Sequence, residues 1–178
     1  MVRQVKKYPV PDVKSFLRNL LFYGSNTEIF CLLNSNRSAN LPLDKYRSYD
    51  SLAGIGSIDE LKIETDPFNS MQKFYDENRD WLFGFLTYDL KNELNKLSSS
   101  NFDGLDFPSV HFFCPRYVIA LRGHECEILF NPQHNDESST DKLFNEIIIK
   151  YRRGQLCRLL NKNFFSHFFL GLKKKINV

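Results

Sequence analysis

The chain has 178 residues, 42% of them hydrophobic and 15% aromatic, which is enough apolar matter for a packed core and too much for a disordered segment. No apolar run reaches the roughly 18 residues of a membrane-spanning helix, and the charged start MVRQVKKYPVPDVK lacks the apolar centre of a secretory signal. The net charge of +3 arises from Lys150 onward, where eight Lys and Arg stand without an acid; residues 1–149 carry 16 basic against 21 acidic groups, so the basic balance is no argument for a nucleic-acid-binding body.

In chain order, Asp12 to Tyr23 reads as a helix. Phe16, Leu17, Leu20 and Leu21 keep helical spacing, Pro11 suits its start and Gly24 its stop. EIFCLL, residues 28–33, reads as a short buried strand that runs out into the polar loop NSNRSAN. SLAGIG, residues 51–56, is a second strand candidate with small residues. Asp66-Pro67 marks a helix start, with Asp as the cap and Pro in the first position. Phe68, Met71, Phe74 and Tyr75 then form one apolar face up to about Asp80. Trp81 to Tyr88 is apolar apart from Thr87, the pattern of a central strand covered on both faces. Lys91 to Leu97 reads as a short helix. Tyr117–Leu121 and Glu125–Phe130 flank Gly123 as a hairpin, and residues 131–141 read as a polar loop. The expected fold class is α+β, with mixed strands and helices.

Residues 147–178 break with what precedes them: they are basic, rich in Phe and free of acid. The expectation is a body over 1–146 and a tail from 147 that is a truncated or frame-shifted start of a further domain, the alternative being a basic amphipathic helix.

Chemistry-bearing motifs are sparse. The sequence contains no GxSxG, no Walker loop, no HExxH and no GxGxxG, and GIGS at 54–57 is too short to cradle phosphate. Cys31, Cys114, Cys126 and Cys157 form no CxxC and have no zinc-finger spacing to His111, His124, His134 or His167; the first three sit in apolar runs, as buried free thiols do. That usage fits a reducing cytoplasm. Asp89 and Glu93, four apart, would share a helix face as a carboxylate pair, or serve as a cap and a solvated acid. No catalytic residue and no metal site is read from the residues themselves.

One stretch carries a likeness. FGFLTYDLKNEL, residues 83–94, resembles the (G)GxxGYxSYDxxxxxE segment in the N-terminal part of the chorismate-utilising enzymes, anthranilate synthase component I and aminodeoxychorismate (para-aminobenzoate) synthase component I. Gly84, Phe85, Thr87, Tyr88, Asp89 and Glu93 fill the pattern, with Phe85 for Tyr and Thr87 for Ser. IFCLLNSN, residues 29–36, looks like the strand ending in the LLES-type motif. YDSLAGIG, and NFDGLDFPSVHFFCPRYVI at 101–119, resemble the aminodeoxychorismate branch. The four stretches agree in order and spacing and together cover residues 10–130.

The resemblance implies the N-terminal part of an anthranilate synthase component I-like β-sandwich with flanking helices. Gly84, Tyr88, Asp89 and Glu93 would be structural, ending a strand and turning the chain into a helix. Full-length members convert chorismate and ammonia, supplied by a glutamine amidotransferase partner, with Mg2+. In the folate branch the product is 4-amino-4-deoxychorismate. The chorismate and Mg2+ residues belong to a C-terminal domain whose GDIYEVN-like and PIKGT-like stretches are absent here. RRGQLCRLLNKNFF, residues 152–165, echoes the start of that region, but Gln155 stands where its acid belongs. The chain alone is therefore expected to be inactive and cofactor-free, to depend on a catalytic domain in cis or in trans, to leave sheet edges uncovered, and to contact neither nucleic acid nor membrane. At the LLES-type position, Leu33, Asn34 and Ser35 would form a tryptophan-type site, with Asn34 replacing the acid. The alternatives are an anthranilate synthase component I-like fragment and a stand-alone module that binds an aromatic amino acid.

Overall fold

The computed structural model describes residues 2–35, 48–63, 66–88, 90–91 and 107–149. The elements in chain order are β1 (Gln4–Pro9), α1 (Val13–Gly24), β2 (Phe30–Asn34), β3 (Ser51–Ile63), α2 (Pro67–Asn78), β4 (Phe83–Leu86), β5 (Val110–Arg122), β6 (Glu125–Phe130) and α3 (Glu137–Ile149). The fold is α+β: among the described residues, a six-stranded antiparallel sheet with three helices. Its strand order is β1-β6-β5-β3-β2, and β4 pairs with β5 off that path. The described residues form two compact units, one drawn from residues 57–115 and one from residues 2–56 together with 116–149.

The second of these units holds the larger core. α1 begins where Asp12 accepts the Ser15 backbone N–H at 3.0 Å. Its face of Phe16 and Leu20 packs with Ala53 and Ile55 of β3, Ile119 and Leu121 of β5, Cys126 and Ile128 of β6, and Leu143, Phe144 and Ile147 of α3. Gly24 closes the helix through space rather than backbone freedom: a Cβ there would collide with the Phe30 ring. The β5–β6 hairpin pairs Arg122 with Glu125 around Gly123, whose φ of 55° is the left-handed conformation that glycine accepts. β1 adds to the outer side of β6, pairing Gln4 with Phe130 through Pro9 with Glu125. Tyr8 then reaches α3: its ring stacks on Phe144 at 4.1 Å, and its hydroxyl lies 2.8 Å from both Thr140 Oγ1 and Asp141 Oδ1.

In the unit of residues 57–115, α2 starts at Pro67 as expected. Asp66 occupies the cap position in a left-handed conformation, φ 49°, and its side chain caps no N–H; Asn69 Nδ2 donates to it instead, at 2.9 Å. The segment Trp81–Tyr88 departs most from the sequence reading. The strand is only Phe83–Leu86, its burial alternates, and among the described residues it pairs with β5 alone. It is not a central strand covered on both faces. Its apolar content goes instead into an aromatic row, Trp81 on Phe83 at 6.3 Å and Phe83 on Phe113 at 6.1 Å.

Three further differences stand out. β3 continues past the expected SLAGIG, to Ile63. β1 was not expected. Of the stretch read as a polar loop, residues 131–136 are non-helical, but α3 takes up residues 137–141 and runs through the compositional break at 146–147. The expected helix over 91–97 and the tail beyond Ile149 lie outside the described residues, apart from helical Leu90–Lys91.

Candidate functional site

Leu33, Asn34 and Ser35 sit at the end of β2. Leu33 pairs with Leu52 and Asn34 with Ser51, and the Ser35 N–H donates to the Asp50 carbonyl at 3.0 Å. Asp50 anchors this corner. Its N–H donates to the Leu121 carbonyl at 2.8 Å, and its carboxylate accepts the Gly123 N–H at 2.6 Å. Arg122 lies over the Tyr49 ring, 4.4 Å from the centroid. All three predicted residues are therefore held by backbone pairing, exposed, and brought together. Their own side chains offer an amide, a hydroxyl and an alkyl group, none of them charged.

The second predicted set behaves differently. Gly84 is placed by necessity. A Cβ there would meet the His111 carbonyl oxygen, with Phe112 Cα at 2.6 Å and Cδ1 at 2.8 Å. Close approach of β4 to β5 demands glycine. Tyr88 stands at the surface, 80% exposed, with Lys91 Nζ 4.1 Å from its ring centroid. The turn after β4 is closed by Leu90 and Lys91 N–H groups donating to Thr87 and Tyr88 carbonyls. Asp89 and Glu93 lie outside the described residues.

One cluster escaped the sequence reading. His111 on β5 is buried, and its Nε2 lies 2.6 Å from Glu60 Oε1 on β3. Lys62 Nζ is 2.7 Å from the same oxygen. The Phe85 ring meets the His111 ring edge-on at 5.9 Å. Burial holds the imidazole below its ordinary pKa, against the pull of Glu60. Glu60 is itself lowered: desolvation works upward, but the bonds from Lys62 and His111 together outweigh it. Such a pair can hold a proton between two strands. The signal was the alternation Ile58, Glu60, Lys62 after Gly56, which shows only once β3 is known to continue.

A residue further along each strand faces a different place. Leu61 and Phe112, with Phe68, Met71, Phe74, Tyr75 and Leu82, line a half-open groove of about 420 Å³ under α2. Gln72 also lines it. On the same unit Cys114 is buried, its Sγ 3.7 Å from Asp80 Oδ2. Cys31, Cys114 and Cys126 are free thiols, and burial pushes Cys126 up to about 12. Among the described residues, no three His, Cys, Asp or Glu side chains converge as a metal site, and no helix is long and apolar enough to cross a membrane.

No protein-family model matches the chain, and no curated protein matches it in sequence.

Proposed function

We propose that the chain serves as the N-terminal region of an aminodeoxychorismate synthase component I-like protein, in the pathway from chorismate and ammonia to 4-amino-4-deoxychorismate. The observation that supports this reading is positional. The stretches that resemble the family fall on the end of β2, the start of β3, β4 with its turn, and β5, and these strands pair as β2–β3, β3–β5 and β4–β5. Gly84 meets the steric demand that a glycine at that place in the motif implies.

On this reading the chain supplies a scaffold and the strand end Leu33-Asn34-Ser35, and chorismate chemistry belongs to a catalytic domain in cis or in trans. That domain would carry the Mg2+ residues. No cluster among the described residues fits the ion, with Glu60 already held by Lys62 and His111. A glutamine amidotransferase would supply ammonia to the assembled enzyme.

The test is genetic complementation. The chain is expressed in a bacterial strain whose component I has lost its N-terminal region and which needs 4-aminobenzoate. Growth without 4-aminobenzoate is expected. Absence of growth with soluble, folded chain present overturns the reading, and rescue of the matching tryptophan auxotroph alone assigns the chain to the anthranilate branch. Purified chain given chorismate, ammonia and Mg2+ should form no product; turnover by the chain alone would refute its scaffold role.

A further inference from the structure

We propose that His111 is a proton-operated latch on β4: the neutral imidazole keeps Phe85 and its strand against β5, and the protonated one releases β4 while the other elements stay folded. The inference is independent of the proposed function. All the residues of the latch lie in the unit drawn from residues 57–115.

Phe85 and His111 are direct partners in the β4–β5 register, so their side chains rise from the same face of the pair. The two rings meet edge-on at 5.9 Å, and Phe107 meets Phe85 edge-on at 6.0 Å. The His111 side chain is only 4% exposed. The charged groups that meet it come from β3: Glu60 Oε1, 2.6 Å from Nε2, and Lys62, whose Nζ stands 2.7 Å from the same oxygen. β4 reads Phe-Gly-Phe-Leu and brings no charge.

A neutral imidazole suits these surroundings. A carboxylate only accepts, so Nε2 carries the proton and donates it to Glu60, and the rest of the ring lies against Phe85. An imidazolium suits them poorly. Its charge would be enclosed beside phenyl rings, and the one carboxylate it meets is shared with Lys62. Burial outweighs Glu60 and holds the ring neutral.

Acid therefore favours whichever state lets this ring reach water. The smallest such opening is β4. The strand has four residues, and among the described residues it pairs with β5 alone, from Phe83–Phe113 to Leu86–Val110. The turn after it is tied to β5 by the Thr87 N–H, which donates to the Ser109 carbonyl at 3.0 Å. Parting these contacts costs less than unfolding α2 and the long strands β3 and β5 with them. Linkage sets the size of the effect. Between the ordinary imidazole value of about 6.5 and the lowered folded one, each unit of acidification raises the opened population by up to about tenfold. Glu60, lowered from an ordinary value of 4.5, stays ionised above pH 5 and leaves His111 as the switch of the pair.

Trp81, the sole tryptophan, stacks on Phe83 at the start of β4, so its emission reports on the strand. The experiment follows Trp81 emission of the full chain from pH 8 to pH 5, with far-UV circular dichroism alongside. The expected result is a one-proton emission change below pH 6.5 with the far-UV spectrum retained. Amide exchange at Phe85 and Thr87, corrected for its intrinsic pH dependence, should be about three- to tenfold faster at pH 5.5 than at pH 7.5, and unchanged at Ile119. His111→Gln, which can donate to Glu60 but cannot titrate, should abolish both responses. Flat emission in the unaltered chain overturns the proposal, as does the same transition in His111→Gln or a far-UV loss in step with the emission. If His111→Gln misfolds, the ring-proton titration of His111 by NMR decides: a midpoint different from that of Trp81 emission sinks the latch.

Discussion

Nε2 of His111 and Oε1 of Glu60 stand 2.6 Å apart, joining β5 to β3 at a place where the imidazole is buried. Both groups have lowered pKa values in the folded chain. For His111 the unfolded state binds the proton more readily, so folding is favoured fully above about 6.5 and loses that contribution as pH falls through the lowered folded value. Glu60 acts in the same direction lower down: its stabilisation is present above about 4.5 and disappears as pH falls through its own lowered value. Acid therefore works against this contact twice. Urea denaturation at pH 7.5 and pH 5 should show a smaller loss of stability for His111→Gln, which cannot titrate, than for the unaltered chain. Equal losses in the two proteins would show that His111 does not titrate across this window.

Gly84 and Gly123 should respond very differently to alanine. At Gly84 the added methyl meets backbone atoms of His111 and Phe112, which cannot step aside without moving β5. Overpacking of this kind costs about 1–3 kcal/mol, and a backbone obstacle sets the upper end. At Gly123 nothing lies within 4 Å, and only the φ of 55° resists, a penalty of about 1 kcal/mol. Chemical denaturation of Gly84→Ala and Gly123→Ala measures both. Amide exchange should also accelerate at Phe83 and Phe85 in the first variant alone. Equal, small effects would mean that β4 does not approach β5 this closely.

The sequence was most informative where local chemistry and tertiary demand agree. α1 was legible because Phe16 and Leu20 recur at helical spacing and both reach the core. The β5–β6 hairpin was legible because Gly123 sits between two apolar runs. Where a strand has a mixed face, the pattern failed. β1 reads as a charged stretch because its lysines face Asp141, Glu125 and Glu127 across the edge, and its partner strand is over a hundred residues away. α3 was masked by its own cap: Asp136, Ser138 and Ser139 look like a loop, yet Asp136 accepts the Ser139 N–H at 2.8 Å and starts the helix. Leu143, Phe144 and Ile147 gave the period, in a segment where the compositional break drew attention elsewhere. The Trp81–Tyr88 run erred the other way, because aromatic content from ring-on-ring packing imitates a strand buried on both faces. At the candidate site, Leu33, Asn34 and Ser35 were named from the motif alone. His111 with Glu60 was not, since a pair 51 residues apart on neighbouring strands leaves no local trace.

Tyr8 fastens β1 to α3, and its removal separates packing from hydrogen bonding. Tyr8→Phe keeps the ring on Phe144 but removes the phenol that donates to Asp141 Oδ1 at 2.8 Å and lies beside Thr140 Oγ1; Thr140 still donates to the Glu137 carbonyl at 2.8 Å. The expected loss is about 1.5 kcal/mol, the low end for a hydrogen bond to a charged acceptor, because Asp141 is half-exposed. Tyr8→Ala also loses the stacked ring and should cost about 3 kcal/mol or more. Urea titrations of the two variants check the ratio. Should Tyr8→Phe prove as costly as Tyr8→Ala, the hydroxyl, not the stack, would be what ties the two elements together.

If the strand end binds an aromatic amino acid as proposed, Asn34 sets how well. A free aromatic amino acid carries an ammonium group, and the side chains of Leu33, Asn34 and Ser35 provide no negative charge to meet it. An acid at position 34 would add one charge-assisted hydrogen bond, worth about 1.5–3 kcal/mol, or roughly ten- to a hundredfold in affinity. Asn34 is exposed, so Asn34→Glu should fold as the unaltered chain does. Titration calorimetry with tryptophan is expected to give little heat with Asn34 in place and saturable binding with the Asn34→Glu variant. The gain should shrink as pH falls below the carboxylate range, because the ligand's partner is then neutral. Tight binding by the unaltered chain would show that groups beyond these three, Asp50 or Arg122 in the same corner, recognise the ligand. No binding by either form would remove the strand end from the list of ligand sites and leave it a structural turn tied to Asp50.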